Sequence, residues 1–313
     1  MRTSWRDLIQ IDKKWVNRQL SHHFSDLDKK VGIRLYTLRA SGTILSPSAI
    51  CSELSGMLVS YVSGKHDLDQ KEAIAAHSYA VKFFGEKNTQ TDGKYGELLL
   101  FALVESVLEC KMIAHKIRSL SNFKDQVKGG DGIFLGEYLV EGEMKPAYLI
   151  GESKVQASYS DAINEALSSL NRFHDEETSA EFNSTELIIA KQNLIMDDRV
   201  DLDEMYARLT PTEDLFRSQI LVHPVLIMYN TGNIPNLERE SKDANSLELL
   251  IKDEVLKKKD SIKKLISDKV KTYKNIQKVY LDFFIIPTNQ VDAFRNAMYY
   301  EIHGTPYQKK EKK

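Results

Sequence analysis

The stretch Ala147-Tyr148-Leu149-Ile150-Gly151-Glu152-Ser153-Lys154 decides the fold of this chain. Its first five residues form an apolar run of strand-like length, and the charged residues Glu152 and Lys154 follow at its end. Side chains at positions i and i+2 of a β-strand point to the same face, roughly 7 Å apart along it. The spacing therefore predicts that the Glu152 carboxylate and the Lys154 ammonium converge on one small volume.

A second acid lies at the start of a second strand pattern. Asp131 is part of Gly130-Asp131-Gly132 and directly precedes the apolar run Ile133-Phe134-Leu135. An aspartate beside a Glu-x-Lys motif suits phosphodiester hydrolysis, because two carboxylates bind Mg²⁺, which prefers oxygen ligands and lowers the pKa of a bound water. The lysine orients that water or neutralises charge on the phosphate. A Glu-x-Lys motif alone is a weak signal, since such pairs are more often solvated strand edges.

A third acid falls on a predicted helix. The stretch from Lys94 to Arg118 has helical periodicity, and Glu97 shares its apolar stripe with Phe101, Val104, Leu108 and Met112. An acid there is costly to bury unless it is paired or bound to a cation, and one interpretation is a metal-site glutamate of the nuclease type. The alternative is a first-turn acid that stabilises the positive end of its own helix.

The order of predicted elements favours an α/β fold. A helix capped by Ser158 or Ser160 follows Lys154, which gives the order helix, strand, strand, helix. Further along the chain we predict a strand at Gln219–Tyr229, with an edge, bulge or break at Pro224, and then a turn at 230–233. A helix is predicted at Asn245–Lys274. A strand at Val279–Ile286, ended by Pro287, and a helix at Gln290–Tyr300 complete the pattern. We predict a mixed central sheet flanked by helices, with the acids on a central hairpin, as in restriction endonucleases.

Three segments together resemble a known family. They are Gly96-Glu97-Leu98-Leu99-Leu100-Phe101, Gly130-Asp131-Gly132-Ile133 and Ile150-Gly151-Glu152-Ser153-Lys154. These segments are similar to HamA, the nuclease subunit of the Hachiman anti-phage defence system. The resemblance extends from Lys94 to Tyr300 and is sharpest between residues 94 and 172.

The resemblance implies a PD-(D/E)xK nuclease core with Glu97, Asp131, Glu152 and Lys154 as its catalytic positions. The three acids would bind the metal, Mg²⁺ or alternatively Mn²⁺. The resemblance also implies a HamB-like helicase partner, and DNA degradation once phage attack is sensed. Gln156 continues the strand face of Lys154 and is either an accessory residue or an exposed polar strand end.

The chain of 313 residues is long enough for one large domain or two smaller ones. We predict an accessory or partner-binding region at residues 1–90, a nuclease-like domain at 91–302 with an acidic insertion near 174–214, and a basic tail at 303–313. The first region contains a predicted strand at Ile33–Leu38 and predicted helices at Ala49–Val62 and Lys71–Phe84.

Composition indicates an ordinary globular protein, with 42% hydrophobic and 28% charged residues. Cys51 and Cys110 are the only cysteines, so neither a disulfide framework nor a cysteine metal site is indicated. His22, His23, His66 and His77 fit no metal-binding spacing. Because neither a signal peptide nor a membrane span is recognisable, we expect a cytoplasmic protein that does not contact a membrane.

Charge is distributed unevenly, although the net charge is −2. Residues 252–278 contain ten basic and four acidic residues, a local charge of +6. Such a segment could follow a phosphate backbone, but these lysines occupy several helix faces, and a solvated helix is the commoner use. Residues 174–214 contain twelve acids and three basic residues, a local charge of −9. Within them we predict a helix at Glu186–Leu194, and a capping box of Asp201 and Glu204 that begins another.

Two function classes remain. The first is a metal-dependent DNA nuclease controlled by a partner. The second is a catalytically silent scaffold that binds the helicase or DNA. RNA as a substrate is a third alternative. The sequence has no phosphate-binding Gly-x4-Gly-Lys-Ser/Thr loop, so any ATP-dependent step is expected to come from another protein. Convergence of the four site residues would favour the nuclease.

Overall fold

The computed structural model describes residues 4–64, 69–85, 93–114, 130–174 and 199–307. They form a seven-stranded mixed sheet flanked by helices, in the strand order β1-β2-β7-β6-β5-β4-β3. The strands are β1 Leu20–Asp28, β2 Val31–Leu38, β3 Lys111–Ala114, β4 Gly132–Val140, β5 Glu143–Gln156, β6 Ile220–Asn230 and β7 Tyr280–Thr288. The helices are α1 Trp15–Gln19, α2 Ser48–Gly56, α3 Leu58–Ser63, α4 Gln70–Phe84, α5 Lys94–Leu103, α6 Tyr159–His174, α7 Leu202–Arg208, α8 Asp214–Arg217, α9 Ile234–Glu240, α10 Ala244–Lys257, α11 Lys259–Lys271 and α12 Val291–His303.

The centre of the sheet is parallel. Strands β5, β6, β7 and β2 run in one direction, whereas the pairs β1–β2, β3–β4 and β4–β5 are antiparallel. The β4–β5 ladder begins with Gly132 opposite Gly151, so residues 152–156 of β5 extend beyond β4. That extension carries Glu152 and Lys154, which places both at an end of the β4–β5 pairing.

Helices α5 and α6 cover opposite faces of β5. A Cβ atom on Gly151 would lie 2.8 Å from Leu100 of α5, so the odd-numbered residues of β5 face α5. The even-numbered residues face α6, because Gly130 lies against both Ile150 and Phe173 of α6. Since side chains alternate along a strand, Ser153 faces α5, and Glu152 and Lys154 face α6.

The predicted boundary near residue 90 is not followed by the sheet or by the core. Strand β2 pairs with β7, from Val31 opposite Leu281 to Leu35 opposite Ile285. One apolar core cluster also runs from Trp15 and Leu35 to Phe294. The N-terminal strands are therefore part of the central sheet, and the accessory role of residues 1–90 stays a prediction.

Several sequence predictions are confirmed. The predicted strands at Ile33–Leu38 and at Ile133–Leu135 are parts of β2 and β4. Helix α4 begins at the predicted place, with a capping box of Asp69 and Glu72. Asp201 caps α7 by accepting a hydrogen bond from the Glu204 N–H at 3.1 Å. The predicted capping box is only half present, because the Glu204 carboxylate pairs with Arg208 at 2.9 Å. The predictions at His66, at Glu186–Leu194 and in the last six residues of the basic tail lie outside the described residues.

The prediction of one helix from Lys94 to Arg118 is wrong between Val104 and Ala114, and residues 115–118 lie outside the described residues. A π-helical turn at 104–108 follows α5, and Glu109 then takes a left-handed conformation with φ 55°. The chain continues as β3, where Met112 lies opposite Phe134 of β4. Because short apolar runs suit a buried strand as well as a helix, periodicity alone assigned Met112 to the wrong element. Cys110 is buried, as predicted, but it lies outside the helix.

The predicted edge, bulge or break at Pro224 is only partly right. Strand β6 lies inside the sheet, and its pairing with β7 continues through Pro224 opposite Asp282. Its pairing with β5 is interrupted between Leu149 and Glu152. There the His223 Nδ1–H donates to the Ile150 carbonyl at 2.8 Å, which replaces the donor that proline lacks.

His223 also meets a second histidine. His174 Nε2 lies 2.8 Å from His223 Nε2. A neutral imidazole has one N–H, and in His223 this is Nδ1–H, so His223 Nε2 accepts a hydrogen bond from His174 Nε2. Burial lowers the pKa of His223 to about 3 and that of His174 to about 4. Both rings are therefore neutral at physiological pH and act as a hydrogen-bonded link between α6 and β5.

Three other element predictions need correction. The predicted helix at Ala49–Val62 is divided at Met57, and the one at Asn245–Lys274 is divided at Lys258; both dividing residues have ψ near 0°. Strand β7 continues through Pro287 to Thr288. The pairing of β2 with β7 ends at Ile285. Pro287 lies beyond that point, so its missing backbone N–H breaks no hydrogen bond to β2.

Candidate active site

Glu152 and Lys154 form a partly buried ion pair. The Lys154 Nζ donates to Glu152 Oε1 at 2.5 Å. The Glu152 side chain is 2% exposed and that of Lys154 is 23% exposed. The convergence that the i, i+2 spacing predicted is therefore confirmed, and the pair lies in a largely dehydrated environment.

The Glu152 carboxylate is only half satisfied. Its Oε2 atom is buried and has no hydrogen-bond partner at standard distance among the described residues. Burial, followed by the nearby Asp131 carboxylate, raises the pKa of Glu152 to about 7, although Lys154 and the nearby Ser169 hydroxyl act in the opposite direction. A buried carboxylate oxygen without a partner is costly, and a cation bound there would remove that cost.

A second Glu-x-Lys motif on the same strand shows what burial contributes. Glu143 and Lys145 also form an ion pair, but their side chains are 71% and 46% exposed. The hydrogen bond from Lys145 lowers the pKa of Glu143, whereas burial raises that of Glu152. The two motifs share their spacing and their strand, so position in the fold distinguishes them.

Asp131 is held beside this pair by Ser153. Asp131 Oδ2 accepts hydrogen bonds from both the backbone N–H and the hydroxyl of Ser153, each at 2.6 Å. The Asp131 N–H donates to the Gly151 carbonyl at 2.8 Å. Asp131 directly precedes the first residue of β4, Gly132. Beyond the end of the β4–β5 ladder, its side chain therefore makes the hydrogen bonds to β5. Sequence reasoning missed Ser153, because the middle residue of a Glu-x-Lys motif carries no signal of its own.

Glu97 lies in the first turn of α5, on the other face of β5. A Cβ atom on Gly96 would lie 3.1 Å from Ser153 Oγ and 2.9 Å from Val155 Cγ2, so this turn packs directly on the strand. Glu97 Oε2 accepts a hydrogen bond from the Tyr61 hydroxyl at 3.1 Å. The structure brings Asp131, Glu152 and Lys154 together, and the helix turn that carries Glu97 packs on Ser153 and Val155 of the same strand.

Helix α6 adds Glu165, a residue that the sequence did not indicate. Gln156 donates from Nε2 to Glu165 Oε2 at 2.5 Å, so Gln156 is engaged with α6 rather than being a free strand end. Burial lowers the pKa of Lys154, but Glu152, Asp131 and then Glu165 raise it, and the net pKa lies above its usual value. Lys154 is therefore an ammonium ion at neutral pH.

The donor set fits a hard divalent cation in part. Asp131 and Glu152 are neighbouring carboxylates, one with a buried unpartnered oxygen, and such oxygens are the ligands that Mg²⁺ prefers. Within the described ranges, no three His, Cys, Asp or Glu side chains are arranged to hold a metal ion. The site therefore provides two carboxylates in place, while the predicted metal-ligand role of Glu97 stays a prediction.

Several lysines of the segment at 252–278 contact neighbouring side chains. Lys258 pairs with Glu254 at 2.9 Å, and Lys263 pairs with Asp26 of β1. Lys259 lies over the ring of Phe24, 4.8 Å from its centroid. These contacts favour the solvated, ion-paired helix over a continuous phosphate-binding surface.

A comparison with protein families decides the affiliation of the chain. The model of the family described as HamA matches residues 10–302. The chain belongs to the HamA family. Membership of the HamA family associates it with Hachiman anti-phage defence. The match begins well before the segments that carried the resemblance, so the N-terminal strands are part of the HamA pattern. No curated protein matches the chain significantly.

In the part of the chain that the structure describes, no helix is both long and apolar enough to span a membrane.

Proposed function

We propose that the chain is a divalent-metal-dependent DNA nuclease, the effector of a Hachiman defence complex, with a PD-(D/E)xK catalytic core. The observation that carries this proposal is the buried Glu152 carboxylate, with one oxygen unpartnered, between Asp131 and Lys154. A carboxyl group whose pKa is shifted by burial and by a second acid is typical of functional sites.

Each residue has a role that follows from its surroundings. Asp131 and Glu152 would hold the metal, and the hydrogen bonds from Ser153 fix the direction of the Asp131 carboxylate. Mg²⁺, when bound, polarises the phosphate and acidifies a water molecule. Lys154 keeps its proton at neutral pH because its pKa is raised. It therefore acts as a cationic donor to the phosphate oxygens, or orients the attacking hydroxide, but it does not accept a proton.

Glu97 would support the site from the α5 face of the strand. Its helix turn lies against Ser153, the residue that holds Asp131. A carboxylate there adds negative charge near the two metal-binding acids and strengthens attraction for a cation. This role needs the Glu97 carboxylate to be held in a fixed orientation near the two acids, and it does not require a direct bond to the metal.

Control by a HamB-like helicase fits the same geometry. In the isolated chain the Lys154 ammonium occupies Glu152, so a metal ion must compete with an internal cation for that carboxylate. We propose that DNA delivered by the helicase draws the Lys154 ammonium towards its phosphates and releases Glu152. Low activity without the partner would then protect the host.

The alternative is a silent scaffold that binds the helicase or DNA. The absence of a three-ligand group among the described residues favours it. The buried Glu152, however, would then be a cost to stability with no function to retain it.

The test is Mg²⁺-dependent degradation of plasmid DNA by the purified chain, with and without the helicase and ATP, beside an RNA substrate. Wild type is compared with Glu152→Gln and Lys154→Met. The matched controls are Glu143→Gln and Lys145→Met, which alter the exposed motif on the same strand. The proposal expects only the buried-motif variants to lose cleavage. Equal cleavage by all variants would reveal a contaminant or a misplaced site, and no cleavage with partner and DNA supplied would support the scaffold.

A further inference from the structure

We propose that Tyr61 is a positioning residue for Glu97, and that α3 and α4 thereby complete the nuclease site from within the N-terminal region. This inference rests on the proposed function, because it assigns Glu97 work at the site. It gives helices α3 and α4 a role within the chain itself, in addition to any role in partner binding.

The first link is the tyrosine itself. Tyr61 of α3 is fully buried, and its hydroxyl donates to Glu97 Oε2 at 3.1 Å. Its ring packs against Phe101 of α5 and Phe84 of α4, with centroid distances of 5.4 and 6.0 Å. A ring held on two sides has a fixed hydroxyl, so the hydrogen bond selects one orientation of the Glu97 carboxylate.

The second link joins α4 to the first turn of α5. The buried Lys94 ammonium donates to the carbonyls of Phe83 at 2.8 Å and Phe84 at 3.2 Å, at the C-terminal end of α4. A cation there interacts favourably with the helix dipole. The Tyr95 ring stacks on that of Phe84, with centroids 6.1 Å apart and planes 8° apart. Residues 94 and 95 thus fasten the helix turn that carries Glu97.

The third link connects this turn to the site. Gly96 is in close contact with Ser153, and Ser153 holds Asp131. Glu97 therefore has its backbone fixed against β5 by Gly96 and its carboxylate fixed by Tyr61. Without the phenol hydroxyl, the flexible glutamate side chain would keep its charge but lose this preferred orientation relative to Asp131.

The experiment measures Mn²⁺ binding by electron paramagnetic resonance of the free ion, and DNA cleavage as a function of Mn²⁺ concentration. The variants are Tyr61→Phe, Glu97→Gln, the double variant and Glu152→Gln. Tyr138→Phe is the matched control, because the Tyr138 hydroxyl also donates to a buried carboxylate, Asp282 Oδ2, at 2.9 Å, away from this site.

We expect Tyr61→Phe to weaken Mn²⁺ binding about tenfold, which is close to the low end of what a hydrogen bond to a charged group contributes. The double variant should bind like Glu97→Gln alone, because the tyrosine acts only through the glutamate. Tyr138→Phe should lower the melting temperature and leave Mn²⁺ binding unchanged.

Three results would overturn the inference, and only the last would also overturn the proposed function. In the first, Tyr61→Phe binds Mn²⁺ like wild type while Glu97→Gln and Glu152→Gln bind it weakly. In the second, the effects of Tyr61→Phe and Glu97→Gln on Mn²⁺ binding simply add; in both cases the tyrosine does not act through Glu97 and the proposed function stands. If Glu152→Gln also binds Mn²⁺ like wild type, the metal site itself is wrong and both proposals fall together.

Discussion

Replacing Glu152 by glutamine should stabilise the fold at alkaline pH when no divalent metal is present. The pKa of Glu152 is about 7 in the folded chain, against an ordinary value of 4.5. The folded chain therefore retains a proton that the unfolded chain has lost between these two values. Stability contributed by the protonated form is fully present below pH 4.5 and declines as pH rises to 7.

The size of the effect follows from the pKa difference. A difference of about 2.5 corresponds to about 3 kcal/mol in the free energy of unfolding, of which roughly 2–3 kcal/mol falls between pH 5 and pH 8. Glu152→Gln has the same shape and cannot ionise, so its stability should lack this decline. Mg²⁺ should raise the stability of wild type at pH 8 and leave that of Glu152→Gln unchanged.

The assay is urea unfolding at pH 5 and pH 8 in the presence of a chelator. Glu143→Gln is the control, because the pKa of this exposed glutamate is lowered by Lys145, and its loss should not remove the decline. If the difference in the free energy of unfolding between wild type and Glu152→Gln stays constant from pH 5 to pH 8, the pKa of Glu152 is not raised in the folded chain.

Three further predictions concern the neighbours of Glu152. Ser153→Ala should lower the apparent Mg²⁺ affinity in cleavage assays about tenfold, because a hydrogen bond to the charged Asp131 is lost; an unchanged Mg²⁺ dependence would contradict this. His223→Phe should lower the free energy of unfolding by about 1–3 kcal/mol, since the Ile150 carbonyl loses its donor; unfolding in urea that matches wild type would count against it. Lys154→Met should raise the pKa of Glu152 above about 7, because the ammonium favours the ionised acid; an unchanged titration of the Glu152 carboxyl group by NMR would exclude the ion pair between Lys154 and Glu152.

Part of the site follows directly from local sequence. The convergence of Glu152 and Lys154 depends only on strand alternation, and the structure shows it as an ion pair. Local pattern could not rank this pair above Glu143 and Lys145, which have the same spacing on the same strand. Burial separates the two motifs, and it depends on where helix α6 packs.

Other parts of the site arise from long-range contacts that no local pattern records. Ser153 pairs with Asp131 from 22 positions away, and Tyr61 reaches Glu97 across 36 positions. The apolar stripe from Glu97 to Met112 was divided between a helix and a strand, because Glu109 turns the chain into β3. The strand pattern at Gln219–Tyr229 was correct, but a histidine side chain replaced the donor whose absence at Pro224 predicted an edge.

Crystals soaked in Mn²⁺ and measured at the manganese absorption edge would show whether Asp131 and Glu152 hold a divalent metal. We predict an anomalous peak within bonding distance of Glu152 Oε2 and an Asp131 oxygen, and we predict that this peak is lost in crystals of Glu152→Gln. A peak elsewhere on the chain, or one that survives this substitution, would contradict it.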